Sequence, residues 1–125
     1  MNQSLRGFKA ELFKALGHPT RVHILELLRG GEKTVSELQA GLGIESSSVS
    51  QQLALLRAKH VVEGRKEGTS VFYRSVDENV FQLLDVAREI FNNHLIDLQA
   101  MVDDSAVADE GREPVAAAGL EAVSA

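Results

Sequence analysis

The chain has 125 residues, of which 44% are hydrophobic, so it can form one domain with a core and is too short for a second full domain. It contains no cysteine, which excludes disulfides, thiolate metal sites and cysteine-based redox sensing. The net charge is −5, and the sequence has neither a membrane-length apolar run of about 20 residues nor a secretory signal, so a soluble cytoplasmic protein is expected.

Two helices are predicted at the N-terminal end. Apolar residues from Leu5 to Leu16 recur at steps of three and four, as on one face of an amphipathic helix. Gly17 is expected to end this helix with a positive φ, and His18 to make a structural hydrogen bond. Pro19 can begin the next helix because the first turn does not need its missing N–H. That helix, from Thr20 to Arg29, has a wide apolar sector, which predicts a central position in the core.

A helix-turn-helix is predicted between residues 34 and 59. Thr34 and Glu37 have the spacing of a capping box, in which each side chain accepts a hydrogen bond from a backbone N–H at a helix start. This short helix breaks at Gly41–Gly43, and a longer helix begins at Glu45 or Ser46 and ends near Lys59. Its apolar positions repeat at i, i+4 and i+7 and must face the core. They are Val49, Leu53 and Leu56, which leaves Ser47, Ser48, Ser50, Gln51 and Ala54 facing outward.

A β-hairpin and a long helix complete the predicted elements. Two β-branched and aromatic segments, 61–66 and 70–76, flank a Glu67-Gly68-Thr69 loop. An amphipathic helix then runs from Val80 to about Met101, and its apolar stripe is longer than so small a domain needs, which indicates a partner helix. Residues 103–125 are rich in Ala, Gly, Asp and Glu and are predicted to form a disordered acidic tail, so the folded domain is expected to span residues 1–102.

Charge is distributed unevenly along the chain. Residues 1–80 have a net charge of +2, whereas residues 81–125 have a net charge of −7. Between Ser46 and Val76, five cations accompany two anions. This segment, the hairpin and the helix before it, is the one suited to bind a polyanion.

The order of the elements is that of a winged helix, in which the second helix of the helix-turn-helix enters the DNA major groove and the hairpin, or wing, reaches the flanking backbone. Several separated motifs closely resemble the ArsR/SmtB family of bacterial transcriptional repressors. They are LGHPTR (16–21), ILELL (24–28), VSEL (35–38), SSVSQQLALLR (47–57) and VV (61–62). The resemblance covers about residues 8–100 and implies a mainly α fold with a β-hairpin wing that forms homodimers through its first and last helices.

The resemblance also implies roles for individual residues. Hydroxyl groups on the second helix would donate to phosphates, the Gln51 amide would pair with an adenine edge, and cations of the wing would meet phosphates or the minor groove. The implied DNA-binding residues are Ser47, Ser48, Ser50, Gln51, Gln52, Arg57, Lys59, Arg65, Lys66, Thr69 and Arg74. The implied dimer interface consists of Leu5, Phe8, Leu12, Leu84, Ala87, Phe91, His94 and Leu98. The alternative is that the serines only cap a helix and that the charges only solvate a hairpin.

No metal or cofactor is predicted. The thiolate site of the family falls around Thr34, where this chain has no cysteine. The zinc site on the last helix of the family uses Asp, His, His and Glu. The corresponding residues here are Asp77, Asn79, Ile90 and Asn93, so one ligand of four remains. His94, on the apolar stripe, is expected to be an interface histidine, with a pH response or an unconventional metal site as the alternative.

The sequence therefore predicts a homodimeric transcriptional regulator, a repressor by its resemblance, that binds an inverted-repeat operator in double-stranded DNA. Its effector is expected to be neither a thiol-directed signal nor a metal, and the sequence does not identify it. A winged-helix module that binds other proteins is the first alternative, since the fold also serves such partners. An enzyme is the second, but the sequence has no thiol nucleophile, glycine-rich phosphate loop or His–carboxylate cluster with metal-ligand spacing.

Overall fold

The computed structural model describes residues 2–108, which form five helices and one antiparallel hairpin. Within that range, residues up to Phe81 belong to one compact unit and residues from Gln82 onward to a second. The elements are α1 (Asn2–Leu16), α2 (Pro19–Leu28), α3 (Val35–Leu42), α4 (Ser46–Ala58), β1 (Val62–Glu67), β2 (Ser70–Ser75) and α5 (Asn79–Ala108). This is the predicted mainly α fold with a β-hairpin wing.

The core of the first unit is built from the apolar faces of α2, α3, α4 and β1. Each inward position predicted on α4 is buried, which confirms the register of that helix. Burial of a leucine or isoleucine side chain contributes roughly 1.5–3 kcal/mol, so this cluster supplies most of the hydrophobic stabilisation of the unit. Its most deeply buried side chains are Ile24, Leu25, Leu38, Val49, Leu53, Leu56 and Val62.

The connection between α1 and α2 differs from the prediction in one respect. Pro19 begins α2 as expected, and His18 is its N-cap, with Nδ1 accepting a hydrogen bond from the backbone N–H of Thr20 at 3.1 Å. Gly17, however, does not have a positive φ. A Cβ there would lie 3.3 Å from the carbonyl oxygen of Phe13 and 3.4 Å from that of Lys14, so glycine at this position avoids a tight contact with the backbone of the helix end.

The helix-turn-helix has the predicted capping box. The Glu37 N–H donates to Thr34 Oγ1 at 3.2 Å, and the Thr34 N–H donates to Glu37 Oε1 at 3.0 Å. The short helix α3 ends at Gly43, whose φ of 69° is the left-handed conformation typical of a helix C-terminus. Glu45 then occupies the N-cap of α4 without a side-chain capping bond.

The hairpin loop is tighter than predicted. Glu67 pairs with Ser70, so the loop has two residues, Gly68 and Thr69, and not the predicted three. Gly68 takes a φ of 62° at the first loop position, which glycine adopts without strain. The wing is also attached to the loop before α3 by two backbone hydrogen bonds. The Lys33 N–H donates to the Tyr73 carbonyl oxygen at 3.0 Å, and the Tyr73 N–H donates to the Lys33 carbonyl oxygen at 2.8 Å. No local pattern in the sequence predicts this bridge.

Helix α5 is longer than predicted. Its 30 residues correspond to about 45 Å, and it continues to Ala108, beyond the domain boundary expected at residue 102. At its start, Asp77 accepts a hydrogen bond from the Asn79 N–H at 2.9 Å. The rest of the predicted tail, residues 109–125, lies outside the described residues. None of the helices between residues 2 and 108 combines the length and apolar character needed to span a bilayer.

Candidate nucleic-acid interface

The outward face of α4 is polar, accessible and held in place by its buried opposite face. Ser47, Ser50 and Gln51 are exposed, and Ser48 is half-buried. Among residues 2–108, none of these four side chains has a hydrogen-bond partner within the chain. Because the N-cap of α4 is Glu45, the serines lie in the first helical turns and do not cap the helix. Their hydroxyl and amide groups are therefore free to bind an external donor or acceptor.

The cations of the wing are held by carboxylates. Arg65 contacts Glu32 through Nε at 3.1 Å and Glu67 through Nη1 at 2.8 Å, and its guanidinium lies 5.0 Å from the centre of the Phe72 ring. The hydrogen bond to Glu67, followed by that to Glu32, raises the pKa of the Arg65 guanidinium. Arg65 is therefore oriented by two carboxylates on the wing surface, and a DNA phosphate would have to compete with them or use the remaining N–H groups of the guanidinium.

Two further predicted DNA contacts are also ion-paired. Arg74 donates from Nε to Glu63 Oε1 at 2.6 Å, across the hairpin. Lys59, at the C-cap of α4, donates to Glu11 Oε2 on α1 at 2.9 Å, and this bond lowers the pKa of the Glu11 carboxyl. By contrast, Arg57 and Lys66 have no ion-pair or hydrogen-bond partner in the described part of the chain. These two cations are the ones most directly available to a polyanion.

A groove of about 430 Å³ separates α4 from the wing and contains Arg57. It brings the predicted DNA residues Ser50 and Arg57 together with Tyr73, which was not among the predicted DNA residues. Tyr73 lies on β2, where the paired backbone bonds to Lys33 fix its position. That non-local bridge leaves no periodic signal in the sequence, which explains why Tyr73 was missed. The lining residues are Ser50, Leu53, Ala54, Arg57, Ala58 and Tyr73.

Gln52 differs from the other polar residues of α4, since it has a partner within the chain. Its Oε1 accepts a hydrogen bond from Arg21 Nη1 at 3.1 Å. Arg21 also donates from Nε to the carbonyl oxygen of Ala15 at 2.5 Å and from Nη2 to that of Lys14 at 3.3 Å. The carbonyl oxygen of Gln52, a residue predicted to bind DNA, is thus engaged by Arg21 of α2.

The predicted dimer residues divide into exposed and half-buried positions. On α1, Leu5 and Phe8 are 54% and 64% exposed, whereas Leu12 is half-buried. On α5 the predicted stripe alternates between the two states: Leu84, Phe91 and Leu98 are half-buried, and Ala87 and His94 are exposed. Four other large apolar side chains on α5 are also exposed. They are Val86, Ile90, Ile96 and Met101.

The described residues contain no group of three or more histidine, aspartate or glutamate side chains placed to hold a metal ion. Asp77, the one residue that matches the zinc ligands of the family, instead accepts the hydrogen bond from the Asn79 backbone at the start of α5. The exposed imidazole of His94 belongs to no such group of three or more ligand side chains within residues 2–108.

Comparison with known proteins gives the family of the chain. Residues 18–63, from the N-cap of α2 into β1, match the bacterial regulatory proteins of the arsR family. The HTH-type transcriptional regulator Rv0081 of Mycobacterium tuberculosis is 40% identical over 104 residues, which are 82% of this chain and 91% of that protein. The chain belongs to the arsR family. It is accordingly a transcriptional regulator with a winged helix-turn-helix DNA-binding fold, and its relatives are regulators rather than enzymes.

Two solved structures and one further relative are also similar to this chain. The crystal structure of Rv0081 superposes with a TM-score of 0.68 at 42% identity, covering 74% of this chain and 94% of that one. The homodimeric winged helix-turn-helix DNA-binding domain Mb0332 of Mycobacterium bovis gives a TM-score of 0.68 at 32% identity, covering 75% and 87%. A biofilm growth-associated repressor of Agrobacterium fabrum is 38% identical over 82 residues, 66% of this chain and 70% of that protein.

Proposed function

We propose that this arsR-family protein is a homodimeric repressor that binds an inverted-repeat operator through α4. The observation that carries the proposal is the outward face of α4, where Ser47, Ser50 and Gln51 are exposed and free of partners opposite three buried apolar residues. Such a face can donate to phosphates and read base edges in the major groove. A relative described as a repressor and another described as a homodimeric DNA-binding domain support this reading.

The second proposed feature is symmetry. The exposed apolar residues of α1 and the long apolar stripe of α5 supply surfaces that a second copy can cover. A twofold dimer would present two copies of α4 about one helical turn of DNA, or 34 Å, apart. It would therefore select a pseudo-palindrome whose half-sites are about 10 base pairs apart, centre to centre. Because its target is DNA, we place its action in the bacterial cytoplasm.

The test is selection of double-stranded DNA from a random pool by the purified protein at near-physiological salt. We expect a pseudo-palindrome to be enriched. Gln51→Ala removes a predicted bidentate base contact and should weaken binding to that sequence roughly tenfold or more while leaving nonspecific binding nearly unchanged. Gln82→Ala, at an exposed glutamine on α5, is the matched control and should bind as the wild type does. A folded dimer that enriches no sequence would favour the protein-interaction module.

The proposed signal is neither a thiol reaction nor zinc at the site used by the family, because the cysteines and three of four zinc ligands are missing. An effector would act by binding one dimer geometry more tightly than another and so changing the separation of the two α4 helices. Operator affinity should therefore stay within about twofold when zinc or an oxidant is added, or when the pH is varied from about 5.5 to 8. A larger zinc response would instead point to His94, and a larger pH response to His94 or to His18, whose Nδ1 accepts the capping hydrogen bond of α2.

A further inference from the structure

The half-buried arginine on α2 joins three helices. We propose that Arg21 is a positioning residue that ties α4 to the C-terminus of α1 and thereby sets the separation of the two DNA-reading helices in the dimer. Its Nε and Nη2 donate to the carbonyl oxygens of Ala15 and Lys14, and its Nη1 donates to Gln52 Oε1. The inference rests on the proposed function, since it concerns how the proposed dimer presents α4 to DNA.

The chemistry of these contacts is specific to arginine. The last carbonyls of a helix have no partner within the helix and carry the negative end of its dipole, so a cation stabilises them. A planar guanidinium offers five N–H donors in a fixed arrangement, and here it uses three of its nitrogens on three acceptors. A lysine ammonium is a point charge on a flexible stem, and it cannot hold the same three acceptors in that geometry.

A second contact joins the same two helices. Lys59, at the end of α4, pairs with Glu11 on α1 at 2.9 Å. Gln52 and Lys59 are seven residues apart, which is about 10 Å along a helix, so α4 is attached to α1 at two separated points. Two points of attachment fix the direction of one helix relative to another. The Lys59–Glu11 pair is exposed and by itself contributes little to holding α4 against α1, so the half-buried Arg21 contact contributes more.

The two ends of α1 have different surroundings. Its C-terminal end, at Ala15 and Leu16, is buried and attached to Arg21, whereas its N-terminal half exposes Leu5 and Phe8. If α1 contacts the partner subunit through that exposed half, Arg21 connects the dimer contact to α4. Gln52 immediately follows Gln51, so a shift of α4 at the Arg21–Gln52 contact also moves the proposed base-reading residue.

The test compares Arg21→Lys with Gln52→Ala in the full-length protein. Gln52→Ala removes only the hydrogen bond between Arg21 and α4 and leaves the bonds of Arg21 to α1. It therefore keeps the test informative if Arg21→Lys fails to fold. Arg6→Lys, at an exposed arginine on α1, is the control for the same chemical change. Each protein is assayed for dimerisation by sedimentation and for binding to three DNAs: the selected operator, the operator with half-site spacing changed by one or two base pairs, and a single half-site.

We expect Arg21→Lys and Gln52→Ala to bind the operator roughly tenfold more weakly, as loss of a charge-assisted hydrogen bond implies, and to discriminate less between spacings. Dimerisation of both variants, and half-site binding by Arg21→Lys, should stay within about twofold of the wild type. Unchanged operator affinity and spacing preference in both variants would overturn the inference, as would an equal loss on operator and half-site in Arg21→Lys, which indicates a purely local or folding defect. A wild-type protein that selects no operator would refute the proposed function, and this inference with it.

Discussion

At the residue scale, His60 is the one non-glycine residue with a positive φ in the part of the chain that the structure describes. It follows the C-cap of α4, where its N–H donates to the Arg57 carbonyl at 3.0 Å and the next N–H, of Val61, donates to Leu56 at 2.9 Å. This pair of bonds is the Schellman motif, whose left-handed position is usually glycine. The helix end is thus formed with a side chain in a strained conformation.

We therefore predict that His60→Gly stabilises the protein. Relief of left-handed strain, about 1–2 kcal/mol, exceeds the extra backbone entropy lost by glycine, about 0.5–1 kcal/mol, so the free energy of unfolding should rise by about 0.5–1 kcal/mol. The measurement is urea denaturation. His23→Gly is the matched control, because His23 is an exposed residue inside α2 and glycine there should destabilise by about 0.3 kcal/mol. Destabilisation by both substitutions would contradict the strain argument.

A second prediction at this scale concerns the two classes of cation near α4. Arg57 has no partner among the described residues, whereas Arg65 is paired with Glu32 and Glu67. Arg57→Gln should weaken binding to all DNA sequences and lower the salt dependence, log Kd against log salt, by about 0.9. Arg65→Gln should have a smaller effect, because two carboxylates already neutralise much of the charge of Arg65. Equal effects in a salt titration would mean that the ion pairs open freely on binding.

At the element scale, the capping box of α3 links stability to pH. Hydrogen bonds from the Thr34 backbone N–H and then its hydroxyl hold the pKa of the Glu37 carboxyl below its ordinary value of 4.5. Since the folded pKa is the lower one, the stabilisation is fully present above pH 4.5 and is lost as the pH falls through the folded pKa. Acid should therefore weaken this helix start before it disrupts the apolar core.

The corresponding variant is Glu37→Gln. Glutamine can still accept the Thr34 N–H, so the loss of stability at pH 7 should be small, and the decline between about pH 5 and 3 should become shallower than in the wild type. Urea midpoints measured across that range give the comparison. Glu45→Gln serves as the control, because Glu45 is an N-cap glutamate without a side-chain capping bond, and its pH dependence should follow the wild type. If the urea midpoint of Glu37→Gln falls with pH as steeply as that of the wild type, the Glu37 carboxylate is not the source of the pH dependence.

The elements also indicate how far the sequence can predict the molecule. Three features were predicted correctly: the capping box, Pro19 at the start of α2 and the buried face of α4. Each depends only on residues that lie within about two helical turns of one another in the sequence. The Lys33–Tyr73 bridge and the Arg21–Gln52 contact were missed, because they join residues 40 and 31 positions apart. Gly17 was assigned the wrong cause for a different reason: the carbonyl oxygens that a Cβ would approach lie only three and four residues earlier, but their distance depends on the exact backbone conformation, which the residue pattern does not give.

The predicted DNA residues follow the same division. Ser47, Ser50 and Gln51 lie where helical periodicity placed them, on the exposed face of α4. Which cations are free and which are paired depends on carboxylates contributed by other segments, such as Glu32 before α3 and Glu11 on α1. The net charge of a segment therefore identifies a surface suited to DNA but does not identify the individual contacts.

At the scale of the whole molecule, the proposed operator specificity depends on a second copy of the chain. A single α4 can read only one half-site, whereas a dimer gains the second half-site without a new diffusional encounter. Among the side chains predicted for the interface, Phe8 is large, apolar and 64% exposed, and nothing in its α1 surroundings covers it. The dimer should therefore be sensitive to a charge at this position.

We predict that Phe8→Glu shifts the protein toward monomer, because burying an unpaired carboxylate in an apolar interface is strongly unfavourable. Sedimentation should detect the monomer. The urea midpoint of Phe8→Glu should be close to that of the wild type when both proteins are measured at concentrations low enough for the wild type to be monomeric. Operator binding should then depend on the square of the protein concentration, whereas binding to an isolated half-site is retained. Val76→Glu, at an exposed valine beyond β2, introduces the same charge and should leave the dimer intact. If Phe8→Glu remains a dimer, the interface lies elsewhere, and the exposed Ile90 and Met101 of α5 become the next positions to substitute.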